Sequence, residues 1–256
     1  MSVFGNYAHY YDLLYRDKNY AKEADYVDKL IKNHAPKAGT IIELGCGTGN
    51  HALHLVKKGY ILHGVDVSDT MLQKARTRLT VLPRGEASRF TCQKGDIRSV
   101  RVKKQFDAAI SLFDVMSYQN ENSDVTATLE TAKFHLKKKG LLLFNCWYGP
   151  AIFHEKPSVR IKKAQGKGIE VVRIAEPEML VNKNCVDVAY TLFVKNTETG
   201  SVHEIKERHR MRYFFLPEMT YFLTQAGFRL LQTYAWMTAR PPSDSSWCVC
   251  FLGRLQ

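Results

Sequence analysis

The chain has 256 residues, of which 45% are hydrophobic and 24% charged, so it can bury a sizeable core and is not a disordered sequence. It has no apolar run long enough for a transmembrane helix, and its first residues lack the basic and apolar regions of a secretory signal, so neither membrane insertion nor secretion is expected. The net charge of +12 suits nucleic acid or a phosphorylated small molecule, but the basic residues are scattered, which disfavours nucleic acid.

The six cysteines include no Cys-x-x-Cys pair, and four of them fall in apolar, strand-like runs. We therefore expect buried, reduced thiols in a cytoplasmic protein. Cys248 and Cys250 would point to one face of a strand, but no second ligand pair accompanies them. No metal site is predicted.

The first 150 residues alternate between predicted helices and strands after an initial helix over 20–34, which stops before Pro36. Predicted strands cover 40–44, 61–65, 89–93, 106–113 and 141–147. Predicted helices cover 50–58, 68–79 and 123–138. This order predicts a parallel sheet with helices on both faces.

The pattern changes after about residue 150. Alternating, β-branched runs over 169–174, 186–194 and 202–212 are separated by turn signals, which predicts antiparallel hairpins inserted into the α/β fold. A helix over 216–226 and two strands over 228–234 and 247–252 follow. We therefore expect three parts, at residues 1–150, 151–215 and 216–256.

The most informative stretch is 41–50, Ile-Ile-Glu-Leu-Gly-Cys-Gly-Thr-Gly-Asn. An apolar run ends in Glu43, and Gly45, Gly47 and Gly49 follow at alternate positions before a predicted helix. Such a turn lets the backbone approach a nucleotide-like ligand closely. A dinucleotide site favours the different spacing Gly-x-Gly-x-x-Gly, and a plain glycine-rich connection is the other alternative.

Two acids follow the next predicted strands. Asp66 can accept hydrogen bonds from both hydroxyls of a ribose. Asp96 can accept one from the exocyclic amine of adenine while Ile97 packs on the ring, although a solvated turn carboxylate is equally compatible with Asp96 alone. All these residues follow the C-terminal ends of parallel strands, where α/β folds bind ligands.

The Glu-x-Gly-x-Gly-x-Gly pattern resembles motif I of class I S-adenosylmethionine-dependent methyltransferases. The resemblance implies an α/β, Rossmann-like fold with a seven-stranded sheet, an N-terminal helical lid and an inserted antiparallel β-hairpin sheet. It also implies S-adenosyl-L-methionine as cofactor, with its aminoacyl-sulfonium part against the glycine turn. In this pose Met71 lies against the adenine, while Leu112 and Phe113 cover the cofactor.

Four further stretches are similar to nucleotide-sugar N-methyltransferases, which dimethylate the amino groups of sugars such as desosamine and mycaminose. They are the lid segment 10–24, which includes Tyr20, and the segments 144–148, 207–214 and 224–229. The similarity implies a small-molecule acceptor, with a nucleotide-linked amino sugar favoured, and a homodimer formed through the inserted sheet. An O-methyltransferase, a nucleic-acid methyltransferase and a non-catalytic scaffold are the alternatives.

Three side chains are candidates for catalysis at the acceptor. The resemblance assigns Tyr11 to a lid tyrosine that reaches the active site, Tyr118 to a position that faces the acceptor, and His209 to a histidine on an inserted strand. A neutral amine needs mainly desolvation and alignment, whereas a hydroxyl acceptor needs a nearby base. Each residue also has a purely structural alternative: packing of the lid, a surface loop, or a strand face.

The chain departs from the resembling family at two positions. Relatives carry an acid where this chain has Asn145, and an amide cannot stabilise a protonated amine as a carboxylate can. Relatives also have an arginine available for phosphate near the C-terminus, where this chain has Ser245, with Arg240 close by. Both departures concern the acceptor rather than the cofactor.

Overall fold

The structure is a computed structural model that describes residues 7–256; residues 1–6, the start of the predicted 1–150 part, lie outside this range. Its central sheet has seven strands in the order β3-β2-β1-β4-β5-β11-β10. The first five strands run parallel: β1 (Thr40–Leu44), β2 (Ile61–Asp66), β3 (Phe90–Lys94), β4 (Phe106–Ser111) and β5 (Leu136–Tyr148). The antiparallel strands β10 (Phe228–Ala235) and β11 (Cys248–Leu255) complete it.

Helices cover both faces of this sheet because alternate strand residues feed two separate apolar clusters. On β5, Leu142 and Phe144 belong to one cluster, whereas Leu141 and Leu143 belong to the other. The helices are α1 (Tyr7–Leu14), α2 (Tyr20–His34), α3 (Asn50–Lys57), α4 (Asp69–Leu79), α5 (Arg84–Ala87), α6 (Asn122–His135), α7 (Gly149–His154) and α8 (Leu216–Gln225).

Four antiparallel strands lie between α7 and α8 in the chain: β6 (Arg160–Gly166), β7 (Ile169–Leu180), β8 (Cys185–Asn196) and β9 (Val202–Phe214). We call them the inserted sheet. A short parallel pairing between the ends of β5 and β9 joins it to the central sheet. Helix α1 packs on the inserted sheet through Tyr7 and Leu14, which share an apolar cluster with Val171 and Leu192.

The predicted fold class is confirmed: a Rossmann-like α/β sheet with an N-terminal helical lid and an inserted antiparallel sheet. Several boundaries differ, and one strand was not predicted. Strand β4 ends at Ser111 rather than 113 because Phe113 and Asp114 both adopt φ 61°, which is not an extended conformation. Helix α6 gives way to strand at Leu136, and β6, rich in exposed polar residues, was not predicted.

Between residues 7 and 256, no helix is both long and apolar enough to span a bilayer. Within the same range, no group of three His, Cys, Asp or Glu side chains is arranged to hold a metal ion. All six cysteines are free thiols.

Candidate active site

A cavity of about 740 Å³ lies at the C-terminal ends of the parallel strands, between the glycine turn on one side and α1 with the inserted sheet on the other. This volume is typical of small-molecule sites. Glu43 and Gly49 are the two predicted site residues that are not among the described lining residues. The predicted residues that line it are Tyr11, Tyr20, Gly45, Gly47, Asp66, Met71, Asp96, Ile97, Leu112, Phe113, Tyr118 and His209.

The backbone N–H groups of the glycine turn are held by the end of β2. Gly45 and Cys46 donate to the carbonyl oxygen of Val65 at 2.8 and 3.0 Å, and Gly47 donates to Oδ2 of Asp66 at 2.8 Å. A pyrophosphate site needs such N–H groups to face the ligand. Their engagement with β2 argues against a dinucleotide and fits a ligand that brings no phosphate to the turn.

Two of the glycines are required by close packing. A Cβ on Gly45, whose φ is +82°, would lie 2.6 Å from Cγ1 of Val115. A Cβ on Gly49 would lie 3.1 Å from Cβ of Ala75, so this glycine lets the start of α3 pack against α4. Gly49 therefore shapes the turn from behind the cavity wall.

Asp66 keeps acceptor capacity for a ligand. Its Oδ1 accepts from the N–H of Ser68 at 2.9 Å and its Oδ2 from Gly47. The backbone N–H of Val67 also contributes, and since a carboxylate has about four acceptor positions, acceptor capacity remains for a ribose hydroxyl. Burial raises the pKa of Asp66, and the backbone N–H groups partly oppose that effect.

Asp96 is engaged more heavily than the sequence suggested. The Arg98 guanidinium donates to both of its oxygens, at 2.6 Å to Oδ2 and 2.9 Å to Oδ1, and also to Asp124 at 2.8 Å. These hydrogen bonds hold the pKa of Asp96 below its usual range. The carboxylate lines the cavity, with a cation beside it that the sequence analysis did not include.

Glu43 lies behind the turn and is only 1% exposed. Its Oε2 has no hydrogen-bond partner within residues 7–256, and its Oε1 is 3.8 Å from Nδ1 of His51, which does line the cavity. Burial and the nearby Asp66 raise the pKa of Glu43 to about 8. On its other side His51 contacts Oε2 of Glu23 at 2.7 Å.

These features fit the predicted cofactor. A Cβ on Gly47 would meet nothing within 4 Å, so an aminoacyl chain can approach the turn there, and Asp66 suits a ribose. Met71 and Ile97 provide apolar contact for an adenine in the same cavity. The residues present are therefore compatible with S-adenosylmethionine.

The opposite wall brings two predicted catalytic residues into contact. Nδ1 of His209 is 2.8 Å from the hydroxyl of Tyr118, and its Nε2 is 3.2 Å from Oε2 of Glu207. The backbone N–H of Tyr7 in α1 donates to Oε1 of Glu207 at 3.0 Å. Burial raises the pKa of the Tyr118 phenol well above its ordinary value. A chain of hydrogen-bonded side chains, which we call the relay, thus runs from Tyr118 through His209 to Glu207 and connects the cavity to the lid helix α1.

Aromatic rings cover the cavity from the lid side. Tyr11 lies 4.9 Å from Tyr15 and 6.2 Å from Phe113, measured between ring centroids, and Tyr7 stacks on Tyr190 at 5.5 Å. Burial raises the pKa of the Tyr11 phenol. Aromatic faces attract cations such as sulfonium and ammonium groups. The wall therefore suits a positively charged ligand.

Sequence reasoning missed several residues of this wall. Glu207 lies two positions before His209, so the period of a strand places it on the same face and could have identified it. Tyr7 and Tyr190 meet only through the packing of α1 on β8, which no local pattern signals.

A single carboxylate ties the lid to the glycine turn. Oδ1 of Asp12 accepts from the Thr48 hydroxyl at 2.7 Å and from the Asn50 amide at 3.1 Å. Its Oδ2 accepts from the Arg78 guanidinium at 2.7 Å. In addition, the ammonium group of Lys74 donates to two carbonyl oxygens of α1. The lid is therefore closed over the cofactor side of the cavity.

Ser245 and Arg240 lie away from this site. Both are exposed, and neither belongs to the cavity wall formed by the described residues. Ser245 bonds to Ser243 within its own turn. The structure therefore gives no phosphate contact at the position where the resembling family has an arginine.

Comparison with known proteins gives a consistent result. The sequence profile of the methyltransferase domain matches residues 41–140. A dTDP-3-amino-3,4,6-trideoxy-alpha-D-glucopyranose N,N-dimethyltransferase of Streptomyces venezuelae is 28% identical over 88% of this chain and 91% of its own. A dTDP-3-amino-3,6-dideoxy-alpha-D-glucopyranose N,N-dimethyltransferase of Streptomyces fradiae is 26% identical, over 87% of this chain and 84% of its own.

Solved structures share the fold over the whole length. The crystal structure of Streptomyces venezuelae DesVI matches with a TM-score of 0.80 at 24% identity, covering 99% of this chain and 100% of its own. The sugar N-methyltransferase KedS8 from Streptoalloteichus matches with a TM-score of 0.81 at 22% identity, covering 100% and 97%. The domain match, the relatives and the site geometry together indicate an S-adenosylmethionine-dependent methyltransferase.

Proposed function

We propose that this methyltransferase acts on a small molecule, and that its acceptor is the amino group of a nucleotide-linked sugar. The observation that carries the proposal is the cavity itself. Its side formed by the glycine turn, Asp66, Met71, Asp96 and Ile97, which we call the floor, is compatible with the cofactor. The floor faces an aromatic wall that contains the Tyr118–His209–Glu207 relay. The names of the relatives from two Streptomyces species, both dTDP-amino-sugar N,N-dimethyltransferases, support this acceptor.

The floor residues are proposed to hold the cofactor, which when bound supplies an electrophilic methyl group on a sulfonium. The glycine turn and Glu43 would receive the aminoacyl end, and Asp66 the ribose. Asp96 and Ile97 would contact the adenine together with Met71. Tyr20, Leu112 and Phe113 would exclude water from the sulfonium end, which strengthens every polar interaction there.

The opposite wall is proposed to position the acceptor and to receive its proton. A neutral amine attacks without a base, so alignment and desolvation supply much of the rate. The hydroxyl of Tyr118 can hydrogen-bond the acceptor, and His209, oriented by Glu207, can accept a proton through it. Tyr11 would close the lid over the reacting groups.

One observation favours O-methylation as the second candidate. A hydroxyl acceptor needs a base, and a histidine held between a phenol and a carboxylate is such a base. The experiment is a direct comparison: purified protein is incubated with S-adenosylmethionine and either a dTDP-linked 3-amino-3,6-dideoxyglucose or its 3-hydroxy counterpart. Mass spectrometry should show mono- or dimethylated product from the amino sugar, whereas methylation of the hydroxy sugar alone would overturn the proposal.

The nucleic-acid alternative requires its own measurement, because the positive charge of the chain is its main support. Filter binding with RNA and DNA at increasing salt should show only weak retention. Tight binding that falls steeply with salt would contradict the small-molecule proposal.

We also propose a homodimer. Strand β6 is the outer edge of the inserted sheet and carries Ile161, which is 63% exposed. The outer edge of β6 presents backbone N–H and C=O groups that a second chain could pair with, even though most of its exposed side chains are polar. Light scattering should show a dimer, and a monomer at all concentrations would contradict it.

Within each chain we propose a division of roles. Residues 1–150 and 216–256 would bind the cofactor, and residues 151–215 would contact the acceptor and form the dimer.

A further inference from the structure

Asp114 stands at the junction of the two cavity walls in a strained backbone. It follows Phe113 directly, and both residues adopt φ 61°, the left-handed region that non-glycine residues seldom occupy. Such strain costs about 1–3 kcal/mol per residue and persists where surrounding contacts enforce it, often at functional sites. Here the Asp114 N–H donates to Oδ1 of Asn145 at 3.3 Å, and the Asp114 carbonyl oxygen accepts from Ser117 at 2.9 Å.

The Asp114 carboxylate lines the cavity and is only partly occupied by protein donors. Its Oδ1 accepts from Nδ2 of Asn145 at 2.8 Å and from Sγ of Cys248 at 3.0 Å, and the side chain of Trp147 donates a further hydrogen bond. A carboxylate has about four acceptor positions, so at least one is left for a ligand. The charged groups that act on it are Lys18 and Glu23, while burial raises its pKa.

We propose that Asp114 is the carboxylate that binds the acceptor amine, in place of the acid that Asn145 lacks. Asn145 accepts from the backbone N–H of Asp114 and donates to its carboxylate, so the side chain at position 145 lies directly behind the cavity-lining Asp114. Asn145 then orients Asp114 instead of contacting the amine. This inference rests on the proposed function, because it assigns the acceptor end of the same site.

The chemistry explains why a carboxylate helps an amine in particular. An N–H of the neutral amine donates to Asp114, which leaves the nitrogen lone pair for the methyl carbon. The new N–C bond forms as the S–C bond breaks, and the S–C electron pair goes to sulfur. The nitrogen thereby becomes a cation beside Asp114, and its surplus proton leaves afterwards to the Tyr118–His209 pair or to water. A hydroxyl acceptor that loses its proton ends as a neutral ether and gains no such charge pairing.

The test is a carboxylate exchange between the two positions. Kinetics with the dTDP-linked 3-amino-3,6-dideoxyglucose are measured for the wild type, Asp114→Asn, Asn145→Asp and the double variant. We expect Asp114→Asn to lower kcat/KM by about 100-fold, the size expected for loss of a charged hydrogen bond in a buried site, with the S-adenosylhomocysteine Kd changed less than twofold. The double variant should recover at least tenfold, since it restores an acid at that corner.

Each outcome decides a different question. Unchanged kcat/KM in Asp114→Asn, or a large loss of S-adenosylhomocysteine binding, would overturn the role of Asp114, and Asp114→Glu keeps the test open if the amide variant fails to fold. Calorimetry on the wild-type complex with S-adenosylhomocysteine compares the amino and the 3-hydroxy sugar. Equal binding of the two, or binding of neither, would contradict both proposals. If the wild type and Asp114→Asn methylate the amino sugar equally well, the role of Asp114 is contradicted and the proposed function is not.

Discussion

The two walls of the cavity are built in different ways. The floor takes its contacts from successive strand ends, so Asp66 reaches Gly47 across only 19 positions. The opposite wall joins Tyr7 to Glu207 across 200 positions, and Tyr118 to His209 across 91. The proposed cofactor contacts are thus nearly local in the chain, whereas the proposed acceptor contacts depend on how α1 and the inserted sheet pack.

From this contrast we expect substitutions in the floor to change stability or cofactor affinity, and substitutions in the opposite wall to change turnover alone. Five measurements test the separation. For the first three, the chain provides a matched residue of the same type outside the cavity.

Gly45→Ala should destabilise the protein by about 3 kcal/mol, because it combines a positive φ with a Cβ placed 2.6 Å from Val115. Gly39→Ala is the control, since a Cβ there meets nothing within 4 Å and its φ is not positive. Urea unfolding followed by circular dichroism compares the two. Equal unfolding free energies would show that the turn is not the constrained element described above.

Asp66→Ala should raise the Kd for S-adenosylhomocysteine about 100-fold, because the ribose loses its acceptor and the N–H groups of Gly47 and Ser68 lose theirs. Asp69→Ala is the control, since that carboxylate is 72% exposed and pairs with Lys94 on the surface. Isothermal titration calorimetry measures both. A Kd for Asp66→Ala equal to that of the control would mean that the cofactor lies elsewhere.

His209→Ala should lower kcat/KM for the amino sugar about 30-fold and leave cofactor binding unchanged, because the Tyr118 hydroxyl loses its partner while the floor is untouched. His203→Ala, at the exposed outer end of the same strand, should have no effect. Steady-state kinetics and calorimetry separate the two readouts. A loss of cofactor affinity in His209→Ala would contradict the assignment of cofactor binding to the floor and of turnover to the opposite wall.

A pH-dependent effect concerns Glu43, the acid behind the turn. The pKa of Glu43 is raised to about 8, so the folded state retains a proton that the unfolded chain loses near its ordinary value, and stability falls as pH rises from about 4.5 to 8. Glu43→Gln removes this dependence. The unfolding free energy of the variant minus that of the wild type should grow by roughly 3 kcal/mol between pH 5 and 8.

Glu23 provides the opposite case on the other side of His51. Burial opposes its ionisation, but His51 and Lys18 together lower its pKa to about 2. Its stabilising contribution is present above pH 4.5 and is lost as pH falls toward 2. Glu23→Gln should therefore be less stable than the wild type at pH 7, with the gap closing in acid. Thermal melts that show the same pH trend for both variants would contradict this assignment.

The sequence predicted the floor well because its information is local. Glycine spacing, an acid after each strand and the alternation of helices and strands are enough to place Gly45, Asp66 and Met71 around one cavity. The end of β4 shows the limit. A hydrophobic run through Phe113 predicted a longer strand, and only the surrounding contacts of Asn145 and Ser117 explain the turn into left-handed backbone.

The other wall was only partly predictable. Tyr11, Tyr118 and His209 were identified by resemblance, but the contact between Tyr118 and His209 follows from the pairing of β9 with β8 and from the short helix after β4. The sequence of β6 shows no clean alternation of apolar residues because most of its exposed residues are polar. It forms a strand by pairing with β7, which its own sequence does not signal.

Asp12 sets a condition on exchange between the cavity and solvent. It holds Thr48, Asn50 and Arg78 at once, so the lid cannot lift without separating a carboxylate from three donors. Exchange of cofactor past this end of the lid would require all of these hydrogen bonds to break together. The Asp12–Arg78 ion pair would then influence release of a ligand although neither residue is among the described residues that line the main cavity.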